Sequence, residues 1–240
     1  MTAAVVTVTT NRAELEDCVK SIQLQTFPVQ HYILVDAVVP YINYRQMFDK
    51  YANERTHLCY WDGYIGGNGL DGRRWLAAAP HLINEDVTFF CNDDDGYDAD
   101  HVESIMHKID LGVDWAYSLR SIHDKDGFYL FNDRCEALGD LHKPWNLMDN
   151  DNTNFVDWCM WGMKTECLKK IAIVLGQNKW GVDREFYHVA KQLFPNYCST
   201  KEHTFNFRLG GNEQSVTKEF FDAGHQFMKD KYGAVMPWEK

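Results

Sequence analysis

At 240 residues, 45% of them hydrophobic and 25% charged, the chain is long enough for one sizeable core and has the composition of an ordinary globular domain. Its net charge of −11 argues against nucleic acid or an anionic membrane as the main partner, although a metal or a local arginine cluster can reverse the sign inside a site. Seven scattered cysteines without a CxxC pair read as reduced thiols; with no basic-then-apolar leader and no apolar stretch of membrane-spanning length, they predict a soluble, cytoplasmic protein.

The run Ala3-Ala4-Val5-Val6-Thr7-Val8-Thr9 predicts a strand buried on both faces. Thr10 or Asn11 is positioned to cap a helix that begins near Ala13 and carries Leu15, Cys18, Val19 and Ile22 on one face. Thr26-Phe27-Pro28 stops it, and residues 31–36 form a second strand ending in Asp36, so the opening is a β-α-β unit with parallel strands. A helix over 44–51, a strand over 56–61, a Gly-rich loop over 63–69 and a helix over 71–79 follow. That loop has neither GxGxxG spacing nor a terminal GK[ST], so it is not a phosphate fingerprint.

Val87-Thr88-Phe89-Phe90 predicts a buried strand that delivers Asp93, Asp94 and Asp95 to its carboxyl end, the edge where open α/β sheets bind ligands. Three adjacent carboxylates repel one another, and a hard divalent cation with oxygen ligands, Mg²⁺ or Mn²⁺, would neutralise them; a solvated Asx-type turn is the alternative. Beyond the acids come a helix over 98–111, a short strand over 115–119, and an irregular stretch over 121–154 with short hairpins. Helices over 165–174 and 182–194, the latter with Phe186, Val189, Ala190 and Leu193 facing inward, an extended segment over 197–209 and a helix over 220–232 complete the chain. The pattern is one α/β domain over 1–240: a Rossmann-like half over 1–120, mostly parallel sheet with flanking helices, and a mixed α+β half over 121–240.

In this order the elements resemble the family 2-like glycosyltransferases of the GT-A fold. Val6 to Arg12 is similar to that family's strand ending in T-x-N-R, Gln25 to Pro28 to its Q-T-x-P helix stop, and Ile33 to Asp36 to its I-V-D strand. Gly72-Arg73-Arg74 falls where the family has A-R-N. Asn92 to Val102 resembles D-x-D-D-x-x-x-P-D-H-L, with Asn92 for the first acid and Ala99 for the proline. Gly181 to Phe186 is similar to G-x-D-x-E-F, and Phe205-Asn206-Phe207-Arg208 through Ser215 to the closing Y-R-x-x-x-x-S segment.

The resemblance implies a metal-dependent, inverting transferase that uses a nucleoside diphosphate sugar, UDP-linked in the usual case, and a saccharide or other hydroxyl acceptor. Thr9, Asn11 and Arg12 would line the nucleotide pocket, or serve only as turn and capping residues. Asp36 would accept a hydrogen bond from the base's ring N–H, or act as a helix N-cap. Asp93 would sit near the ribose, and Asp93, Asp94 and Asp95 are the candidate metal ligands, with His203 a fourth. One of Arg73 and Arg74 would reach a phosphate, Arg74 being favoured, and Arg208 is a further candidate for the diphosphate. Asp183 would be the catalytic base, with Glu185 and Asp157 as rivals. Trp145, Trp158, Trp161 and Trp180 are candidate acceptor platforms, Trp145 the most exposed by context, and loops over 63–70 and 210–215 would close over the donor. A nucleotidyltransferase would carry a basic Gly-rich loop after the first strand, where this chain has Thr9-Thr10-Asn11-Arg12; a degenerate transferase that binds without turnover is the other alternative.

Overall fold

The computed structural model describes residues 1–36, 48–61, 65–66, 72–146, 154–177, 181–210 and 216–239. Among them, nine strands form one sheet. Its first half is parallel: β1 (Ala3–Thr9) lies between β2 (Val29–Val35) and β4 (Val87–Phe90), and β3 (Thr56–Tyr60) pairs with β2. These strands are nearly continuous apolar, β-branched runs because helices cover the sheet. Helix α1 (Leu15–Gln23) crosses from β1 to β2 and buries the four residues its spacing predicted, Leu15, Cys18, Val19 and Ile22. Helix α2 (Arg73–Ala78) precedes β4, and α3 (His101–Asp110) follows it, burying Val102, Ile105, Met106 and Ile109.

The second half turns the sheet mixed. Strand β4 pairs antiparallel with β8 (Trp161–Lys164), β8 antiparallel with β6 (Trp115–His123), and β6 runs parallel to the long β9 (Tyr197–Arg208). The two-residue β5 (Gly96–Tyr97) adds antiparallel to β9, and β7 (Tyr129–Asn132) forms a hairpin with β6. Helices α4 (Thr165–Ile171), α5 (Val182–Leu193) and α6 (Lys218–Tyr232) pack around this half. The order β3-β2-β1-β4-β8-β6-β9-β5 therefore sets the carboxyl ends of β1, β2 and β4 side by side, next to the carboxyl end of β9.

Three expectations are corrected. Helix α1 starts at Leu15 with Glu14 at its N-cap and no side-chain cap: Asn11 sits at φ 72° and its N–H donates to Thr9 Oγ1 at 2.9 Å. That turn aims the next residue, Arg12, at the acids instead. On α5 the inner face is Val182, Phe186, Tyr187 and Ala190, with Leu193 58% exposed, because the helix packs through its first turns on Trp161 and Trp115. Trp145 is not an exposed ring; it is half-buried against Gly224 and Phe220, where a Cβ on Gly224 would lie 2.6 Å from its Nε1. Residues 44–47 of the expected second helix, most of the 63–70 loop, Trp180 and 211–215 lie outside the described residues; Asp49–Tyr51 is a short 3₁₀ turn.

Candidate active site

The acids sit where the sheet topology predicts, past the end of β4. Tyr97 fixes the turn that holds them: its hydroxyl donates to Phe90 O at 2.5 Å, with Cys159 O 3.1 Å from the same hydroxyl. Asp95 N also donates to Asn92 O at 3.2 Å. Each of the three carboxylates accepts from a different donor, with Arg12 Nε also 3.7 Å from Asp93 Oδ1. Asp93 Oδ2 accepts from Thr9 Oγ1 at 2.7 Å and Asp94 Oδ2 from Arg12 Nη1 at 2.5 Å. Asp95 accepts from Asn92 Nδ2 at 3.0 Å and from the Arg208 backbone N–H at 2.9 Å. Thus the ends of β1, β4 and β9 are tied together through the triplet.

The cluster is electrostatically unbalanced. Burial raises Asp93 to about 6, against the pull of Thr9 and Arg12. Burial raises Asp94 too, and raises Asp95 well above the carboxylate range, with the charges of Asp94 and Asp157 adding to it. Oxygen donors with unrelieved negative charge suit a hard divalent cation, so the donor set fits Mg²⁺ or Mn²⁺.

Two cavities adjoin here. One, of about 200 Å³, is lined by Val8, Thr9, Thr10, Arg12, Asp36, Gly72 and Asp93. The other, of about 220 Å³, shares Val8, Arg12 and Asp93 and adds Asp94, Asp95, Arg73, Trp158 and Arg208. Thr9, Arg12, Asp36 and all three acids are thereby brought together; Asn11 is exposed and lines neither cavity, Thr10 taking that place. The Asp36 carboxylate accepts from Ile65 N at 2.7 Å and Gly66 N at 2.8 Å, and burial raises it; the helix it was expected to cap as an alternative would lie outside the described residues.

The two arginines diverge. Arg73 lines the acidic cavity, 5.8 Å above the Trp158 ring, whereas Arg74 is exposed and donates to Ile65 O at 3.3 Å. Neighbours on a helix point about 100° apart, so only one can face the acids. Trp158 donates to Asn92 Oδ1 at 3.3 Å and is the one expected tryptophan, among the described residues, that lines this cleft; Trp161 is core.

Asp183 stands half-buried in the first turn of α5, its carboxyl raised by burial and by the charge of Asp157. Asp157 caps the Trp158–Met160 turn by accepting from Cys159 N at 2.9 Å. Its charge acts on both Asp95 and Asp183, so it links the triplet to the candidate base. Glu185 lies two residues further along α5, about 200° around the helix from Asp183. His203 is not brought to the acids. Five strand residues, roughly 16 Å, separate it from Arg208, the β9 residue that meets Asp95. Burial lowers its pKa, and its charged neighbours are Asp133, Arg134 and Glu239.

The residue that motif reading missed is Arg120, buried in β6. It pairs with Asp133 at 2.8 Å and with Glu136, lies 4.0 Å from Asp157, and is stacked between Phe207 and Phe221. Burial opposes its charge, but the three carboxylates outweigh that and hold it ionised. The available signal was a single arginine in an otherwise uncharged strand, Trp115 to Ile122. Nearby, Asp133, Cys135 and His225 are the one set of three such groups, among the described residues, whose ligand atoms converge within 4.8 Å. Asp133 is already taken by Arg120 and three backbone N–H groups, and His225 Nε2 accepts from Arg134 N at 3.2 Å. Burial also holds the Cys135 thiol far above its ordinary range. This set is a hydrogen-bonded knot, and its thiol does not suit Mg²⁺ or Mn²⁺.

No protein-family model and no curated protein matches the sequence. Solved structures do. The chain superposes on residues 1–349 of S. aureus TarS with a TM-score of 0.64 at 13% identity, covering 87% of this chain and 60% of that one. The same TarS segment in complex with UDP-GlcNAc gives 0.64 at 13% identity over 95% of this chain and 65% of that one. Its complex with UDP gives 0.60 at 14% identity, over 95% and 64%. The fold is that of the GT-A glycosyltransferases. The chain spans less than two thirds of the length of these TarS structures, and at this identity the likeness establishes architecture, not substrate.

Proposed function

We propose that this chain is a glycosyltransferase that moves a sugar from a nucleoside diphosphate sugar, UDP-linked, to a hydroxyl acceptor with inversion of configuration. The observation that carries this reading is the paired cavity at the ends of β1, β2 and β4, which gathers Thr9, Arg12, Asp36 and the acidic triplet in a fold shared with a protein captured with UDP-GlcNAc and UDP. The smaller cavity, with Asp36 at one wall and Asp93 at the other, suits a nucleoside. The acidic one suits the diphosphate, provided positive charge accompanies it.

Asp94 and Asp95, with Asp93 beside them, would hold a divalent ion. Such an ion, when bound, supplies positive charge to the departing diphosphate. Arg12 and Arg73 face the same region and add to that charge. Asp183 accepts the acceptor's hydroxyl proton as that oxygen forms its bond to the anomeric carbon. The bond from that carbon to the diphosphate oxygen breaks, and UDP departs with the electron pair. A carboxyl raised by burial and by Asp157 is a stronger base than a surface aspartate, which favours the transfer.

The test is release of UDP from a panel of UDP-sugars. Asp183→Asn is expected to lower the rate by roughly 10²–10⁴ while UDP affinity holds. UDP binding without release from any donor would leave a binding protein and contradict the transferase reading.

A further inference from the structure

A cavity of about 480 Å³, larger than the two donor cavities combined, opens at the other end of the sheet, beside the amino ends of β2 and β3. Among the described residues its apolar lining is Ile22, Phe27 and Val29, and two buried polar side chains, His31 and Thr56, stand beside them. Its wall is firmly built. Gln25, which also lines it, has its amide fully engaged: Nε2 donates to Ser21 O at 3.0 Å and Asp98 O at 2.7 Å, and Oε1 accepts from Val102 N at 3.0 Å. The turn on the β3 side is pinned as well, because Arg55 N donates to Asn53 Oδ1 at 2.8 Å and Arg55 O accepts from His31 N at 2.7 Å.

His31 is the group that the fold leaves incomplete. It is 1% exposed, and burial, with the charge of His57 added, lowers its pKa to about 3, so the ring is neutral. Nε2 lies 3.0 Å from Thr7 Oγ1 on β1. The opposite edge of the ring, with Nδ1, is thereby turned away from β1 toward the β3 side, where the cavity lies. Nδ1 has no hydrogen-bond partner among the described residues. A buried nitrogen without a partner is costly, and a ligand that supplies one recovers that cost. Neutral imidazole can donate or accept there, since the Thr7 hydroxyl on the other side permits both tautomers. Glu54 and Arg55 add one charge of each sign, so charge does not choose the ligand; the apolar lining and His31 do. An apolar cavity of this size with one inward polar edge suits a flat ring that carries a heteroatom.

We propose that this cavity is a second small-molecule site, separate from the donor cleft, for a flat heteroaromatic ring packed on Ile22, Phe27 and Val29 and hydrogen-bonded through a ring heteroatom to His31 Nδ1. The inference goes beyond the transferase reading and stands without it.

Titration of benzimidazole into the full chain, without nucleotide or metal, followed by calorimetry and by the His31 ring resonances, tests it. Benzimidazole carries one N–H and one bare nitrogen, so it can pair with either tautomer. Saturable binding is expected, with the His31 resonances moving, and indene, the all-carbon counterpart, should bind about tenfold more weakly. Phe27→Ala should weaken benzimidazole about tenfold. Phe27 is half-buried, so a melting curve checks that the variant folds; the indene contrast needs no variant. Binding that persists in saturating UDP supports the proposal. No saturable binding, unmoved His31 resonances, equal binding of indene, or equal binding by folded Phe27→Ala would each overturn it. Displacement by UDP would also overturn it, by placing the ring in the nucleoside pocket. Failure of the chain to bind UDP would instead strike the donor reading, and the His31 resonances would still decide this one.

Discussion

Asp93 carries a liability that can be measured without substrate. Its carboxyl titrates near 3.8 when unfolded and near 6 in the fold, so the folded state holds the proton more tightly. Its contribution to stability is full below about pH 4 and is lost as pH rises through about 6, up to about 3 kcal/mol in all. Melting curves of wild type and Asp93→Asn in metal-free buffer should therefore diverge with rising pH, wild type falling relative to the variant. A gap that stays flat from pH 4.5 to 7.5 would contradict the burial cost assigned to this group. Gly66 makes a steric prediction at the same scale. A Cβ there would collide with Asp36 Oδ2 and lie 2.8 Å from Gly72 N, so Gly66→Ala is expected to displace Asp36 from the proposed nucleoside pocket. We expect UDP binding to weaken about tenfold or more and stability to fall by about 1–3 kcal/mol; unchanged UDP titrations would remove Asp36 from the site.

Among the elements, β6 differs most from its sequence appearance. Trp115 to Leu119 reads as a short apolar strand, yet β6 runs on to His123 and carries Arg120 into a buried knot with Asp133 and Glu136. Removing the cation leaves those carboxylates buried and uncompensated, so Arg120→Met should cost about 3–5 kcal/mol in denaturant unfolding. A loss under 1 kcal/mol would mean that water reaches the knot. Such ion pairs join segments far apart in the chain and leave no local period, which is why Arg120 was illegible. The first half was legible for the opposite reason: β1, α1 and β2 follow from runs and spacings within a few residues. Arg73 and Arg74 show the boundary between the two cases. Helical geometry requires that they diverge, but which one faces the acids depends on how α2 packs beside β4 and Trp158.

At the scale of the molecule, order of elements was readable and convergence was not. The acidic triplet, Thr9, Arg12 and Asp36 all reach one edge because parallel strands share a carboxyl end, a consequence of the β-α-β pattern alone. His203 failed because motif order says nothing about which level of a 12-residue strand meets the site; Arg208, at its end, does. The C-terminal half thus supplies a wall of the cleft through Trp158, Phe207 and Arg208, residues drawn from two separate segments.

Calorimetric titration of UDP into the protein, with Mn²⁺ and then with EDTA, tests the central claim most directly. UDP binding is expected to require the ion and to be abolished by Asp95→Ala, since Asp95 joins the triplet to β9 and its carboxyl feels the charge of Asp157. Absence of UDP binding with either additive, or binding indifferent to both EDTA and Asp95→Ala, would contradict a metal-assisted donor site at the end of β4.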